Sequence, residues 1–171
     1  MSRQRQLLML LGLLAVAAVL AACGGPASTP EQASINTQAD SSPAQPTEVV
    51  VYKSPSCGCC GEWAAHMEEN GYTVRVKNVN DLTAIKRKFN VPAQMQSCHT
   101  AVIGDYVIEG HVPAAEVTRL LRERPTDVVG LAVPGMPAGS PGMDYGSASQ
   151  PYDVYAFDAA GRAEVVASYG P

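Results

Sequence analysis

The feature that most constrains the fold is a cysteine-rich stretch of seven residues, Pro55-Ser56-Cys57-Gly58-Cys59-Cys60-Gly61. An apolar run, Val49-Val50-Val51-Tyr52, precedes it, and an apolar stripe with helical spacing follows it at Cys60, Trp63, Ala64 and Met67. The pattern predicts a strand that passes into a helix, with the cysteines at the junction. Free N–H groups and the positive end of a helix dipole favour thiolate over thiol there. Sulfur in such a cluster either exchanges disulfides or binds a soft metal.

The amino-terminal residues 1–22 have the features of a signal peptide. Arg3 and Arg5 form a basic start, and the apolar core from Leu7 to Leu20 is too short for a good membrane span. The core ends in Leu20-Ala21-Ala22-Cys23, which resembles the bacterial lipobox, in which the cysteine is lipidated. We therefore expect Cys23 to anchor the protein in a lipid bilayer. An ordinary signal that leaves a free cysteine is the alternative.

Lipidation would place the exported protein on a membrane, facing the periplasm. Gly24 after the cysteine fits retention at the outer membrane, if the host has two membranes. Residues 23–47 are rich in Pro, Ser, Thr, Gln and Ala, and we interpret them as a disordered tether. Residues 48–171 then form one folded domain.

The charge balance argues against a nucleic-acid partner. Loss of Arg3 and Arg5 with the signal peptide changes the formal net charge from −4 to −6. The one basic cluster in the domain, Lys86-Arg87-Lys88, is interpreted as the solvated face of a helix. An acidic domain of this kind is a poor candidate for binding DNA or RNA.

Periodicity and turn signals predict the element order β-α-β-α-β-β-α for the first part of the domain. Strands are predicted at residues 48–53, 72–77, 100–103 and 106–109, with helices that begin near Cys60, at Asp81 and at Pro113. The first two strands are joined through a helix and are expected to be parallel, whereas the last two form a hairpin. The fold class is therefore α/β.

The carboxyl-terminal part begins with a loop rich in Gly, Pro and Met at residues 130–143. Its composition argues against a helix or a central strand, so we expect an ordered loop that covers the domain. A β-hairpin is predicted after it, with strands at residues 152–157 and 163–168.

The element order, with CxxC after the first strand, resembles a thioredoxin or glutaredoxin fold. In that fold the loop before the third strand lies against the CxxC. Here the corresponding residues are Ser97-Cys98-His99-Thr100. The resemblance therefore implies that Cys98 and His99 lie beside the three cysteines of the first helix.

Cysteine spacing favours a soft metal over the other uses of thiols. Cys57 and Cys60 form the CxxC, and Cys59 between them would compete as an attacking thiol in a dedicated disulfide exchanger. Adjacent cysteines rarely bind one tetrahedral zinc ion together. Thiolates can bridge several Cu(I) ions, so a polynuclear copper site uses all of them. Thiol redox chemistry without metal and structural disulfides remain open.

Further ligand candidates are two histidines and two methionines. His99 follows Cys98, His111 lies where a strand passes into a helix, and Met136 and Met143 bring thioethers from the Gly/Pro-rich loop. Each also has an ordinary structural explanation, such as hydrophobic covering for the methionines. His66 and Met67 are interpreted as structural residues of the first helix.

Four sequence blocks together carry a family resemblance. The blocks are Cys57-Gly58-Cys59-Cys60, Ser97-Cys98-His99-Thr100-Ala101, Glu109-Gly110-His111-Val112-Pro113-Ala114 and Gly130-Leu131-Ala132-Val133-Pro134-Gly135-Met136-Pro137. In this order they resemble the CopG-type family of exported bacterial copper-binding proteins. The resemblance covers residues 48–171. It implies a thioredoxin-like fold, a cysteine-bridged Cu(I) cluster and a role in copper redox handling during detoxification.

The same resemblance implies that Cys57, Cys59, Cys60 and Cys98 are metal ligands, with His99, His111, Met136 and Met143 as weaker candidates. Two functions stay open at this stage. One is a copper-binding protein of copper resistance, which cycles copper between Cu(I) and Cu(II) or passes it to a protein partner. The other is a membrane-tethered thiol–disulfide oxidoreductase that acts on proteins.

Overall fold

The domain starts with the strand and helix predicted around the cysteines. The computed structural model describes residues 48–146 and 148–170. Strand β1 spans Glu48–Lys53 and helix α1 spans Gly58–Glu69. The buried side chains of α1 are the predicted stripe, Cys60, Trp63, Ala64 and Met67. Strand β2, Thr73–Asn78, then pairs with β1 in parallel over its whole length, as predicted.

A second helix and a hairpin complete the predicted order up to β4. Helix α2 spans Leu82–Lys88, and the Asp81 carboxylate caps it by accepting a hydrogen bond from the Ala84 N–H at 3.0 Å. After a 3₁₀ turn at Ala93–Met95, strand β3 spans His99–Ile103 and β4 spans Tyr106–Glu109. Strand β3 is antiparallel to both β1 and β4, so the predicted hairpin is confirmed.

The prediction of a loop without a central strand at residues 130–143 was wrong at its start. After helix α3, Ala114–Glu123, the residues Gly130–Ala132 form strand β5, which lies parallel to β4 and antiparallel to β6. Glycine at position 130 lets β5 lie close to its neighbours, because a Cβ there would lie only 2.7 Å from the Phe157 ring, which is too close for a side chain. Three residues enclosed by two partner strands are enough for a strand here, whatever their own propensity.

The predicted carboxyl-terminal hairpin extends the same sheet. Strands β6, Tyr152–Phe157, and β7, Ala163–Tyr169, are antiparallel. The seven-stranded sheet has the order β2-β1-β3-β4-β5-β6-β7. Its first four strands, with β3 antiparallel to β1, have the thioredoxin-like arrangement that the sequence predicted.

Both faces of the sheet are covered by apolar packing. On one face, α1 and α3 bury the larger core through Trp63, Met67, Val117 and Leu121. On the opposite face, the segment after α2 packs on a smaller cluster that includes Val107, Ala132 and Phe157. Lys53 at the end of β1 pairs with His99 at the start of β3, so the junction of β1 with α1 and the start of β3 lie together at one end of the sheet.

The predicted signal peptide (1–22), the lipidated Cys23 and the tether (23–47) lie outside the described residues. Among the residues that are described, no helix has the length and apolarity needed to span a bilayer.

Candidate metal centre

The amino end of α1 presents the three cysteines of the CxCC motif. Cys57 is the N-cap residue with an extended backbone, and its side chain makes no capping hydrogen bond. The helix begins at Gly58, two residues before the predicted start, so Cys59 and Cys60 lie in its first turn. Cys60 is fully buried, whereas Cys57 and Cys59 are half-buried. One sulfur thus faces the core and two remain accessible.

Two of these sulfurs are joined. Cys57 and Cys60 form a disulfide, and Cys59 and Cys98 are free thiols. The Cys59 Sγ lies 3.6 Å from the Cys57 Sγ. The domain is therefore seen in a state in which the CxxC pair is oxidised and two further thiols lie next to it.

The start of β3 brings Cys98 to the same place. The Cys60 Sγ lies 3.7 Å from the carbonyl oxygen of Cys98, which is 38 positions away in sequence. The sulfurs of Cys57, Cys59, Cys60 and Cys98 all lie within 4.8 Å of one another. The four cysteines predicted as ligands therefore converge on one point, although they come from two separate segments.

His111 extends the cluster on the side of Cys98. Its Nε2 lies 3.0 Å from the Cys98 Sγ, and its Nδ1 lies 2.7 Å from the carbonyl oxygen of Pro141. A carbonyl oxygen only accepts, so Nδ1 carries the proton and Nε2 has the free lone pair. Burial lowers the pKa of His111, which keeps the imidazole neutral. A neutral ring with Nε2 aimed at sulfur is ready to bind a metal.

His99 also lies beside the sulfur of Cys98. Its Nδ1 is 3.4 Å from the Cys98 Sγ, and its ring packs on Trp63 with centroids 4.6 Å apart. The ring is fully buried, and its Nε2 has no hydrogen-bond partner among the residues that the structure describes. Burial, and then the charges of His111, Lys86 and Lys53, lower the pKa of His99 well below 6.5. Cys98, His99 and His111 form a second group of donor atoms that shares Cys98 with the sulfur cluster.

Cys98 holds its proton strongly when no metal is bound. Burial, followed by the charge of the neighbouring Cys59, raises the pKa of Cys98 to about 12. The expectation that the helix end would favour thiolate therefore does not extend to Cys98, which lies beyond that helix. A soft cation that binds this sulfur must displace the proton, so binding releases H⁺.

The loop after β5 covers the cluster, as predicted for the rest of residues 130–143. It forms a bridge between Gly135 and Ser97, the residue before Cys98. Farther along, a Cβ on Gly142 would lie 2.8 Å from the carbonyl oxygen of Cys59, so the loop backbone rests on the first turn of α1. Of the two candidate thioethers, Met143 is half-buried and Met136 is 54% exposed.

Three residues near the site were not predicted from the sequence. Lys86 was interpreted as part of a solvated basic face, but it is 6% exposed and forms an ion pair with the fully buried Glu109. Tyr145 lies near Cys59: desolvation, followed by the charge of Cys59, raises its pKa. Tyr145 stands alone in a polar stretch of the sequence, so no pattern indicated that it lies near the cysteines. For Lys86 and Glu109, the residue pattern of one helix cannot reveal a partner that comes from another element.

His66 has a structural role, in agreement with the sequence interpretation. Its Nε2 accepts a hydrogen bond from the Ala114 N–H at 3.1 Å, at the first residue of α3. Nearby, the Trp63 indole N–H donates to the carbonyl oxygen of Val112 at 2.8 Å. Both bonds fasten the segment after His111 to α1, so they fix the position of His111 relative to the cysteines.

Two solved structures match about three quarters of the chain. Both are named copper resistance protein CopG, and they are distinguished as form 2 and form 1. Their sequences are 43% and 42% identical to this chain, each with a TM-score of 0.69. The matches cover 73% and 74% of this chain and 99% and 100% of those chains. This chain belongs to the CopG family.

A family model supports the same assignment over a shorter stretch. It is described as a protein of unknown function, DUF411, and matches residues 95–143. That stretch contains Cys98, His99, His111 and both loop methionines, whereas the CxCC motif lies before it. No curated protein matches the chain significantly. The CopG family assignment therefore rests on the solved structures, which match a larger share of the chain than the family model does.

Proposed function

We propose that this CopG family member binds Cu(I) in a cysteine-bridged polynuclear cluster and acts in copper resistance. The observation that carries the proposal is the convergence of four sulfurs, from Cys57, Cys59, Cys60 and Cys98, within 4.8 Å of one another. The names of the two similar structures, copper resistance protein CopG, support copper as the ion. Copper here is the cargo or substrate of the protein.

The donor set fits Cu(I) better than zinc. Cys59 and Cys60 are adjacent in the first turn of α1, so they are poorly arranged for one tetrahedral ion. Thiolates are soft ligands that can bridge neighbouring Cu(I) ions, which makes closely spaced sulfurs an advantage. The neutral His111 and the buried His99 add nitrogen donors on the side of Cys98. Met136 and Met143 remain candidates from the covering loop.

Copper loading is coupled to the redox state of the CxxC pair. In the Cys57–Cys60 disulfide, the two sulfurs are bonded to each other and cannot act as thiolates. Reduction of the S–S bond takes up two electrons, which two Cu(I) ions can supply by becoming two Cu(II) ions, and gives two thiolates that can then bind further Cu(I). The reverse step is balanced when two Cu(II) ions each accept one electron while the two thiolates form the disulfide. This stoichiometry supports a site that cycles copper between Cu(I) and Cu(II).

Localisation is part of the same proposal. The Leu20-Ala21-Ala22-Cys23 sequence supports lipidation of Cys23, and residues 24–47 would act as a tether. The protein would then handle copper at the periplasmic face of a membrane. A protein that accepts electrons or copper from it is a further expected partner.

Anaerobic copper loading of the reduced protein tests the proposal. We expect more than one copper ion per protein, with loss of bound copper in Cys98→Ser and in Cys59→Ser. Cys23→Ser makes the same chemical change outside the cluster and should bind copper like the parent. A parent protein that binds no Cu(I), or a Cys98→Ser variant that binds as much as the parent, would contradict the cluster.

Thiol–disulfide exchange is the second candidate, and the Cys57–Cys60 disulfide favours it. The half-buried Cys57 can be attacked by an external thiol, whereas the buried Cys60 is shielded. Cys59 discriminates between the two functions, because exchange needs only the CxxC pair. If Cys59→Ser keeps full exchange activity on a disulfide substrate and the parent binds no copper, thiol–disulfide exchange replaces copper binding as the proposed function.

A further inference from the structure

A buried carboxylate holds the chain on both sides of Cys98-His99. The Glu109 Oε1 accepts a hydrogen bond from the Ser97 N–H at 2.7 Å, and its Oε2 accepts one from the Thr100 hydroxyl at 2.6 Å. Glu109 is the last residue of β4 and lies directly opposite Thr100 in the β3–β4 register. One side chain therefore fixes the residue before Cys98 and the residue after His99.

Lys86 links this carboxylate to α2. Its ammonium group donates to Glu109 Oε1 and, at 3.2 Å, to the Thr100 hydroxyl. Lys86 is 6% exposed and Glu109 is fully buried. A buried ion pair is weak evidence for stability, because desolvation of the two charges offsets their attraction. The function of the Lys86–Glu109 pair is therefore better explained by the segment that it holds in place, residues 97–100.

The pair acts from the face of the sheet opposite to the histidine cluster. Thr100 and Glu109 face α2, whereas His99 packs on Trp63 of α1. Close backbone packing adds to the anchorage, because a Cβ on Gly110 would lie 2.5 Å from the Ser97 Cβ. The short segment with Cys98 is thus held from both faces of the sheet.

We infer that the Lys86–Glu109 pair is the positioning device that sets Cys98 in the sulfur cluster. The inference rests on the proposed copper function, because Cys98 is there the ligand that closes the cluster. Outer-shell groups that orient a ligand change metal affinity by about 10–100-fold when they are removed. Glu109 orients Cys98 through the Ser97 N–H, and Lys86 keeps the buried carboxylate paired.

A matched pair of double variants separates positioning from stability. Lys86→Met with Glu109→Gln keeps a side-chain oxygen that accepts from Ser97, whereas Lys86→Met with Glu109→Leu keeps none. Both replace the charged pair by neutral groups of similar size, so neither leaves a buried charge unpaired. We expect the glutamine variant to unfold in urea at a midpoint close to that of the parent. The leucine variant should have a lower midpoint, because the Ser97 N–H and the Thr100 hydroxyl lose their acceptor, so both readouts are taken in buffer without urea, where circular dichroism shows that it is folded.

The readouts are the copper affinity and the alkylation rate of Cys98 in the reduced, metal-free protein, followed by peptide mapping. The glutamine variant should keep both within about 3-fold of the parent. The leucine variant should lose about 10–100-fold in copper affinity and react faster at Cys98. Equal behaviour of the two variants, or a leucine variant that matches the parent, would overturn the inference.

Two further results keep this test separate from that of the copper function. If the parent binds no copper, the proposed function fails, but the alkylation rate of Cys98 still decides whether Glu109 positions it. If either variant fails to fold, amide hydrogen exchange of the parent decides instead. The Ser97 N–H should be protected as well as the β3 amides, and rapid exchange there would refute the anchor.

Discussion

Replacement of Gly142 by alanine should show how strongly the covering loop is held against α1. The backbone at Gly142 has a φ of +80°. A Cβ there would lie 2.6 Å from the backbone nitrogen of Trp63 and 2.8 Å from the carbonyl oxygen of Cys59. Gly161 has almost the same φ, +78°, but its nearest atoms would be 3.9 Å away, in Pro92. The two glycines therefore share a backbone conformation and differ in what surrounds them.

The expected free energies follow from this difference. A left-handed backbone costs an alanine about 1–2 kcal/mol, so Gly161→Ala should lower the free energy of unfolding by that amount. At Gly142 the Cβ must also move from 2.6 Å to the 3.4 Å of ordinary contact. Overpacking adds about 1–3 kcal/mol, which gives a total loss of about 2–5 kcal/mol for Gly142→Ala.

The displaced loop should also weaken metal binding. Pro141 is adjacent to Gly142, and its carbonyl oxygen accepts a hydrogen bond from the His111 Nδ1–H, with 2.7 Å between nitrogen and oxygen. Loss of this bond should lower copper affinity by about 10-fold or more in Gly142→Ala and leave it unchanged in Gly161→Ala. Urea unfolding of the metal-free protein and competition for Cu(I) measure the two effects. Equal losses of stability and unchanged affinity in both variants would refute the close packing of the loop on α1.

Two further predictions concern pH and the membrane. Burial lowers the pKa of His66 below 6.5. As the pH falls, the His66 side chain is therefore protonated in the unfolded chain before it is protonated in the folded one. The free energy that neutral His66 contributes to folding is complete above pH 6.5 and decreases as the pH falls below that value. His66→Gln keeps an acceptor for the Ala114 N–H but does not titrate. Between about pH 7.5 and 5, the free energy of unfolding of this variant should therefore fall less than that of the parent. Identical pH profiles of the two proteins would show that His66 does not cause the pH dependence. Cys23→Ser should move the protein from the membrane fraction to the soluble fraction, whereas a variant that stays with the membrane would count against lipidation.

Local patterns predicted most elements around the site. The apolar run of β1, the helical stripe of α1 and the Asp81 cap each act within a few residues, so one stretch of sequence was enough to predict them. The position of Cys98 needed one more step. It followed from the expected thioredoxin-like path, which brings the start of β3 to the CxxC.

Features that depend on distant partners were missed. Lys86 is buried because Glu109, 23 positions away, supplies a carboxylate, and nothing in the basic triplet indicates that partner. Strand β5 exists because β4 and β6 enclose Gly130–Ala132, whereas its composition alone is typical of a loop. In both cases the cause is a tertiary contact that overrides the local preference.

The histidines illustrate the same limit at the site itself. An extended chain through Cys98 would direct His99 to the other side, yet its Nδ1 lies 3.4 Å from the Cys98 sulfur. Trp63 and the start of β3 decide this orientation, since the His99 ring packs on the indole. His111 was one of several candidates, and the carbonyl of Pro141 is what directs its Nε2 to sulfur.

X-ray absorption at the copper edge tests the central claim most directly. The protein is reduced, loaded with Cu(I) without oxygen, and compared with Cys98→Ser prepared in the same way. A cluster bridged by Cys57, Cys59, Cys60 and Cys98 predicts mainly sulfur neighbours and a short copper–copper distance in the parent, with fewer sulfur neighbours in the variant. Isolated copper ions with nitrogen or oxygen neighbours and no copper–copper scattering would contradict the cluster.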